Sequence, residues 1–174
     1  MNIEMDKNKV YLPYGQGCFV CGRDNPHGLK VDFYVKDNKV CVDLLFERSY
    51  QSYTDTTHGG ILSSILDEAM GWAAYTFSDI TSFLFTRDLD VSYKRNAPIG
   101  EMLYLSTEFV GIEKNMFYKA TGKIVDGNGK LITTSKGIYV PTPDNVTQET
   151  KKLLRFIDGY TYHPKALKYC VPED

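Results

Sequence analysis

The sequence predicts an α+β chain in which one long central helix is wrapped by a curved antiparallel sheet of five to six strands. Two early segments alternate apolar and polar residues with period two and read as a hairpin. A single proline-free segment, residues 60–77, then carries apolar residues at helical spacing, and three or four further alternating segments come after it.

The hairpin rests on Leu29, Val31, Phe33 and Val35, then on Val40, Val42, Leu44 and Phe46, with Lys36-Asp37-Asn38-Lys39 as its turn. In residues 60–77 the apolar positions Leu62, Ile65, Leu66, Ala69, Ala73 and Phe77 mark a helix of about five turns at roughly 3.6 residues per turn. Strands are expected at 83–93, 103–112, 116–125 and 131–140, separated by Asn96-Ala97-Pro98, Glu113-Lys114-Asn115 and Asp126-Gly127-Asn128-Gly129. Such a sheet must bury one face, and the helix is the only large element available to cover it.

Beyond Thr142 the pattern weakens. Residues 147–157 fit a short amphipathic helix with Leu153, Leu154 and Ile157 on one side, and Pro164 and Pro172 interrupt the remaining residues. This tail either caps the sheet or contacts a neighbouring subunit. The chain thus divides into an N-terminal segment, 1–17, a principal domain, 18–141, and a C-terminal extension, 142–174.

A chain of 174 residues suits one hydrophobic core. Its formal net charge of -2 lacks the basic excess of a protein that tracks nucleic-acid phosphates, so nucleic acid is not expected as a partner. Glu4, Asp6, Lys7 and Lys9 interrupt the start of the chain, and no apolar run reaches the roughly 18 residues of a membrane span, so no membrane partner is expected either. Four cysteines are too few for a disulfide scaffold; free thiols and a cytoplasmic location are the expectation.

Two features carry chemistry. Thr57-His58-Gly59-Gly60 opens directly into the helix, which puts unpaired N–H groups and the positive end of the helix dipole where a carbonyl oxygen could approach. A glycine pair before a helix is also ordinary turn chemistry. The second feature is Asp67, which shares a helix face with the small residues Ser63, Gly71 and Ala74. Solvated helix faces usually carry Lys, Glu, Arg or Gln, so small residues suggest close approach of a partner or a substrate. Gly59 and Asp67 lie eight residues apart, roughly 12 Å along a helix. One carbonyl cannot meet both groups of one chain, so a shared reaction requires Gly59 of one subunit and Asp67 of another: a homo-oligomer with composite active sites.

Tyr50-Gln51, His58-Gly59-Gly60 and Leu66-Asp67-Glu68-Ala69-Met70-Gly71-Trp72-Ala73 resemble the helix signature of the hotdog-fold acyl-CoA thioesterase superfamily, of the phenylacetate-pathway and 4-hydroxybenzoyl-CoA types. Cys18-Phe19-Val20-Cys21-Gly22, with Asn25-Pro26 and Gly28-Leu29, and the later run Thr86, Leu89, Val91, Tyr93, Pro98 and Gly100 resemble the same superfamily. The resemblance implies the hotdog fold, hydrolysis of an acyl-CoA without metal or cofactor, and a homodimer or homotetramer. It implies Asp67 as nucleophile or general base, the Gly59 N–H, with Gly60 beside it, as oxyanion donor, Gln51 as an orienting residue and His58 as a residue that shapes the loop. Some relatives carry a water-holding hydroxyl one turn past the acid; here that position is Gly71, with Ser63 and Ser64 as substitutes.

Glu68 is the rival carboxylate, about 100° round the helix from Asp67. Arg87, Lys94 and Arg95 are candidates for the phosphates of coenzyme A, or are simply a solvated strand face. Cys18 and Cys21 have the spacing of a metal knuckle, but a zinc site needs four ligands and no second pair follows; a structural loop is the expectation. Trp72, Tyr75, Phe77, Phe83 and Phe85 are candidate pocket walls. Two other functions fit the same architecture: a non-catalytic acyl-CoA-binding module, and an enoyl-CoA hydratase. The contiguous Asp24-Asn25-Pro26-His27 counts against the hydratase, because its motif spaces those residues apart.

Overall fold

The computed structural model describes Asp6 and residues 9–170. Pro172 and most of the first eight residues lie outside them. In chain order, β1 (Val10–Tyr11), β2 (Tyr14–Gly15), β3 (Tyr34–Lys36) and β4 (Lys39–Leu45) precede the helix α1 (Gly59–Thr76). Then come β5 (Leu84–Tyr93), β6 (Met102–Glu113), β7 (Phe117–Asp126), β8 (Leu131–Pro141), α2 (Asp144–Leu153), β9 (Leu154–Arg155), β10 (Thr161–Tyr162) and α3 (Pro164–Tyr169). One sheet runs in the order β10-β1-β3-β4-β6-β7-β8-β5, and β2 pairs with β9 separately. The expected six strands are β3 to β8. The short strands β1 and β10 extend that sheet, the one parallel pair among the described residues.

The first hairpin differs from expectation in one respect. Leu29, Val31 and Phe33 are buried as their alternation requires, yet they are not in a strand. The N–H groups of Leu29 and Val31 donate to the carbonyls of Phe19 and Val20 in the preceding loop, and Lys30 takes a left-handed conformation at φ 55°. Only Tyr34–Lys36 pairs with β4, across an Asp37-Asn38 turn with φ values of 51° and 56°, a combination suited to a tight two-residue hairpin.

The helix packs on the concave face of the sheet through Ile65, Leu66, Ala69, Met70 and Ala73, all fully buried. Gly122 of β7 sets the closeness of that contact, since a Cβ there would stand 2.9 Å from the Leu66 side chain. The buried Thr107 hydroxyl lies 3.1 Å from the Val40 carbonyl and 3.2 Å from the Ala69 carbonyl, bridging helix and sheet at a point water cannot reach. At the other end of α1, the Lys165 ammonium donates to the carbonyls of Tyr75 and Ser78, the place where a cation satisfies the helix dipole.

The tail therefore packs on its own chain. Its helix starts at Asp144, earlier than the expected 147, because Pro143 fixes the turn with φ -57°. It also ends at Leu153, which is 54% exposed, while Leu154 in β9 is the buried leucine. At the opposite edge of the sheet, β5 pairs among the described residues only with β8 and is exposed from Phe85 to Asp90.

Candidate active site

Asp67 projects from the middle of α1 toward β5 and β8. The Thr86 hydroxyl donates to its carboxylate at 2.9 and 3.1 Å, and the Tyr139 hydroxyl lies 2.9 Å from the Asp67 carbonyl and 3.1 Å from the carboxylate. Burial raises the Asp67 pKa above the ordinary aspartate value, and the hydrogen bonds from Thr86 and Tyr139 act against that rise. Beside the carboxylate is a cavity of about 300 Å³. Trp72, Tyr75, Phe83 and Phe85 form its aromatic wall, with Tyr75 and Phe83 stacked at 5.2 Å, and Val146 and Thr150 of the tail helix complete it. A second groove of about 470 Å³, lined by Glu108, Lys123, Ser135 and Lys136 among others, is polar and has no aromatic wall.

At the N-terminus of α1, His58 is the cap and its Nδ1 accepts from the Gly60 N–H at 2.9 Å. The Ile61 N–H donates to the His58 carbonyl at 3.0 Å. Among the described residues the Gly59 N–H has no acceptor, so it is the donor left at the helix tip. Tyr93 of β5 stands over Gly59: its hydroxyl lies 2.8 Å from the Gly59 carbonyl and pairs with the Ser63 hydroxyl.

Residues 54–132 match the thioesterase superfamily. No curated protein matches the chain. A crystal structure of a thioesterase superfamily protein superposes with a TM-score of 0.65 at 22% identity, over 72% of this chain and 60% of that one. The chain thus spans less than two thirds of that protein's length. Zebrafish thioesterase superfamily member 2 gives 0.58 at 22% identity, over 65% of this chain and 82% of that one. A hypothetical thioesterase from Streptococcus pneumoniae TIGR4, solved with coenzyme A, gives 0.54 at 18%, over 62% and 83%. The fold is the hotdog fold of the thioesterase superfamily.

On this hotdog scaffold the candidate residues fall into two groups. Asp67, Glu68, Gly71 and Thr86 line the aromatic cavity. His58, Gly59 and Gly60 lie about two turns away at the start of α1, and Ser63 and Ser64 about one turn away, their hydroxyls donating back to the Gly59 and Gly60 carbonyls at 3.0 and 2.9 Å. Neither serine hydrogen-bonds to the Asp67 carboxylate; the hydroxyls that do are those of Thr86 and Tyr139. Gln51 stays within its own loop and accepts from the Asp55 N–H at 3.3 Å. Gly60 differs from the expectation of a free donor, because the His58 ring occupies its N–H.

Arg87 sits at the bulge between Thr86 and Asp88, with its guanidinium over the Phe117 ring at 4.4 Å. Lys94 and Arg95 lie beyond β5 at the Gly59 end; Arg95 is held by the Leu131 carbonyl at 2.7 Å and by Asp126 at 3.6 Å. Phe77 is not part of the cavity wall and instead packs on the His163 ring. Asp24 to His27 form an exposed turn closed by the Asn25 carboxamide accepting from the His27 N–H at 3.0 Å.

Tyr139 left no mark that single-sequence reading could use. What puts it against Asp67 is Gly137: a Cβ there would stand 2.6 Å from the tyrosine ring and hydroxyl, so the ring lies back across a bare strand position.

Proposed function

We propose that this chain is an acyl-CoA thioesterase, hydrolysing a thioester to a free acid and coenzyme A, and that it works as a homo-oligomer with composite active sites. The observation that carries this reading is the Asp67 carboxylate, held by two hydroxyls at an aromatic cavity on a hotdog scaffold. The coenzyme A in the Streptococcus pneumoniae relative supports the choice of thioester.

In this reading the Asp67 carboxylate attacks the thioester carbon or takes a proton from the water that does. Thr86 and Tyr139 fix which oxygen faces the substrate. The carbonyl oxygen gains negative charge as the tetrahedral species forms, and the free Gly59 N–H of a second copy receives it at the positive end of α1. Collapse of that species expels the coenzyme A thiolate, which takes up a proton; where Asp67 is the nucleophile, water then cleaves the acyl–Asp67 anhydride, releasing the acid and restoring the carboxylate. Two features support the second copy: Gly59 at the start of α1 and Asp67 at its middle stand roughly 12 Å apart along one continuous helix, and β5, which carries Thr86 and Tyr93, is an exposed sheet edge. Lys94, exposed at the Gly59 end, and Arg87 are the cations offered to the coenzyme A phosphates.

The test is release of coenzyme A from short, long and aromatic acyl-CoA thioesters by wild type and Asp67→Asn. A positioned carboxylate contributes about 10²–10⁴ in rate, so turnover should fall by that factor while the oligomer is retained. Binding without turnover by wild type on every member would replace this reading with the non-catalytic acyl-CoA-binding module.

A further inference from the structure

Glu68 follows Asp67 in the chain but ends against different partners. The Cys18 thiol donates to its carboxylate at 3.0 Å, and one atom each of Cys18, Cys21 and Glu68 (the two sulfurs and a carboxylate oxygen) lie within 4.8 Å of one another. Among the described residues no Lys, Arg or His forms an ion pair with Glu68. Both sulfurs also accept backbone N–H groups, Cys18 from Val20 at 3.3 Å and Cys21 from Gly15 at 3.2 Å. Gly22 is required for the loop to close this way, because a Cβ there would stand 2.4 Å from the Cys18 carbonyl oxygen and 2.6 Å from its nitrogen.

The surrounding segment adds a second observation. Residues 16–33 contain neither helix nor strand, yet Val20, Cys21, Leu29, Val31 and Phe33 within it are 2–5% exposed. An irregular segment of that length packed into a core is uncommon and needs an anchor other than ladder hydrogen bonds. A tetrahedral zinc ion with two thiolates and a carboxylate places its ligand atoms roughly 3.5–3.8 Å apart, within the spacing found here. Thiolates select zinc over magnesium or calcium.

We infer that Cys18, Cys21 and Glu68 form a Zn²⁺ site that staples the 16–33 loop to the central helix, next to the reaction carboxylate. The two cysteines alone are half a site; the helix supplies the third ligand, and the fourth position belongs to water. Binding displaces the thiol protons to solvent and sets a cation against the Glu68 carboxylate. This inference stands apart from the thioesterase reading, and its readout is metal binding rather than turnover.

The experiment uses the full chain, stripped of metal under reducing conditions and titrated with Co²⁺ as a spectroscopic probe. The expected result is saturation at one equivalent per chain, with thiolate-to-cobalt charge-transfer absorption and the intense visible bands of a tetrahedral ion, both bleached by Zn²⁺. Glu68→Gln, which keeps the side chain's shape, should weaken binding by about tenfold or more, and Cys18→Ser should abolish the charge-transfer band. Absence of saturable binding to wild type would overturn the site, as would cobalt spectra unchanged in Cys18→Ser. Recovery of the reduced, metal-exposed protein as a Cys18–Cys21 disulfide without metal would overturn it too.

Discussion

Tyr139 on β8 reaches across the helix–sheet interface to Asp67, with its hydroxyl 2.9 Å from the aspartate carbonyl and 3.1 Å from the carboxylate. The contact places a second hydroxyl on the carboxylate opposite a strand residue, Thr86, that does the same from β5. Removal of either hydroxyl leaves the charge in place but frees its orientation. Tyr139→Phe and Thr86→Val should each lose about 1–1.5 kcal/mol of stabilisation, roughly tenfold in kcat/KM, with kcat carrying most of the change. Steady-state kinetics on the best acyl-CoA substrate checks this; unchanged kcat in both variants would remove these hydroxyls from the mechanism.

Gly137→Ala should act on the same contact from a distance. The new Cβ would overlap the Tyr139 ring at 2.6 Å, so the ring must move off Asp67. Overpacking of this kind typically costs about 1–3 kcal/mol, read as a lower urea midpoint, and the kinetic loss should match that of Tyr139→Phe. Full activity in a destabilised Gly137→Ala protein would show that the tyrosine position does not matter.

Composite sites make a prediction that a single-chain site does not. Gly59 is the first residue of α1 and follows a residue at ψ 130°, so Gly59→Pro deletes the N–H at a helix position proline favours. Loss of one such donor should lower kcat by about 10²–10³. Co-expressed with Asp67→Asn under two tags, it should recover about a quarter of wild-type activity, since half the dimers then hold one intact site. No recovery in isolated mixed dimers would place both groups in one chain or exclude one of them.

His163 gives the fold a pH dependence. Its Nδ1 accepts from the Lys165 N–H at 3.3 Å as the cap of α3, and burial, followed by the Lys165 charge, lowers its pKa below 6.5. The unfolded chain therefore binds more protons between the two pKa values. The stabilisation is fully present above about pH 6.5 and is lost as pH falls through the folded value. The urea midpoint should drop on acidification through that window, and His163→Asn, which keeps a cap acceptor without the titration, should flatten the slope. An equal slope in that variant would assign the effect to other groups.

The long elements were legible because their signals are local. Strands β5 to β8 fall within a residue or so of the alternating segments, and α1 matches its apolar stripe, since side-chain periodicity along the chain is the same quantity that burial reads in the fold. The alternation of Leu29 to Phe33 misled for the same reason: burial alternates there, but a loop rather than a sheet provides the partners. The places of Gly59 at the start of α1 and of Asp67 at its middle were legible from the helix pattern.

By itself, the sequence determined the long central helix, the main strands of its sheet, and the separation of Asp67 from Gly59 along one rigid axis, all set by backbone periodicity and rise per residue. Only the tertiary structure decided which hydroxyls hold Asp67, that His58 takes the Gly60 N–H, and that Glu68 turns to Cys18. The partners of Asp67 and Glu68 depend on contacts between residues as far apart as Asp67 and Tyr139, and on the room left by a glycine at 137, and neither strand register nor the close approach of a helix is encoded in any local spacing.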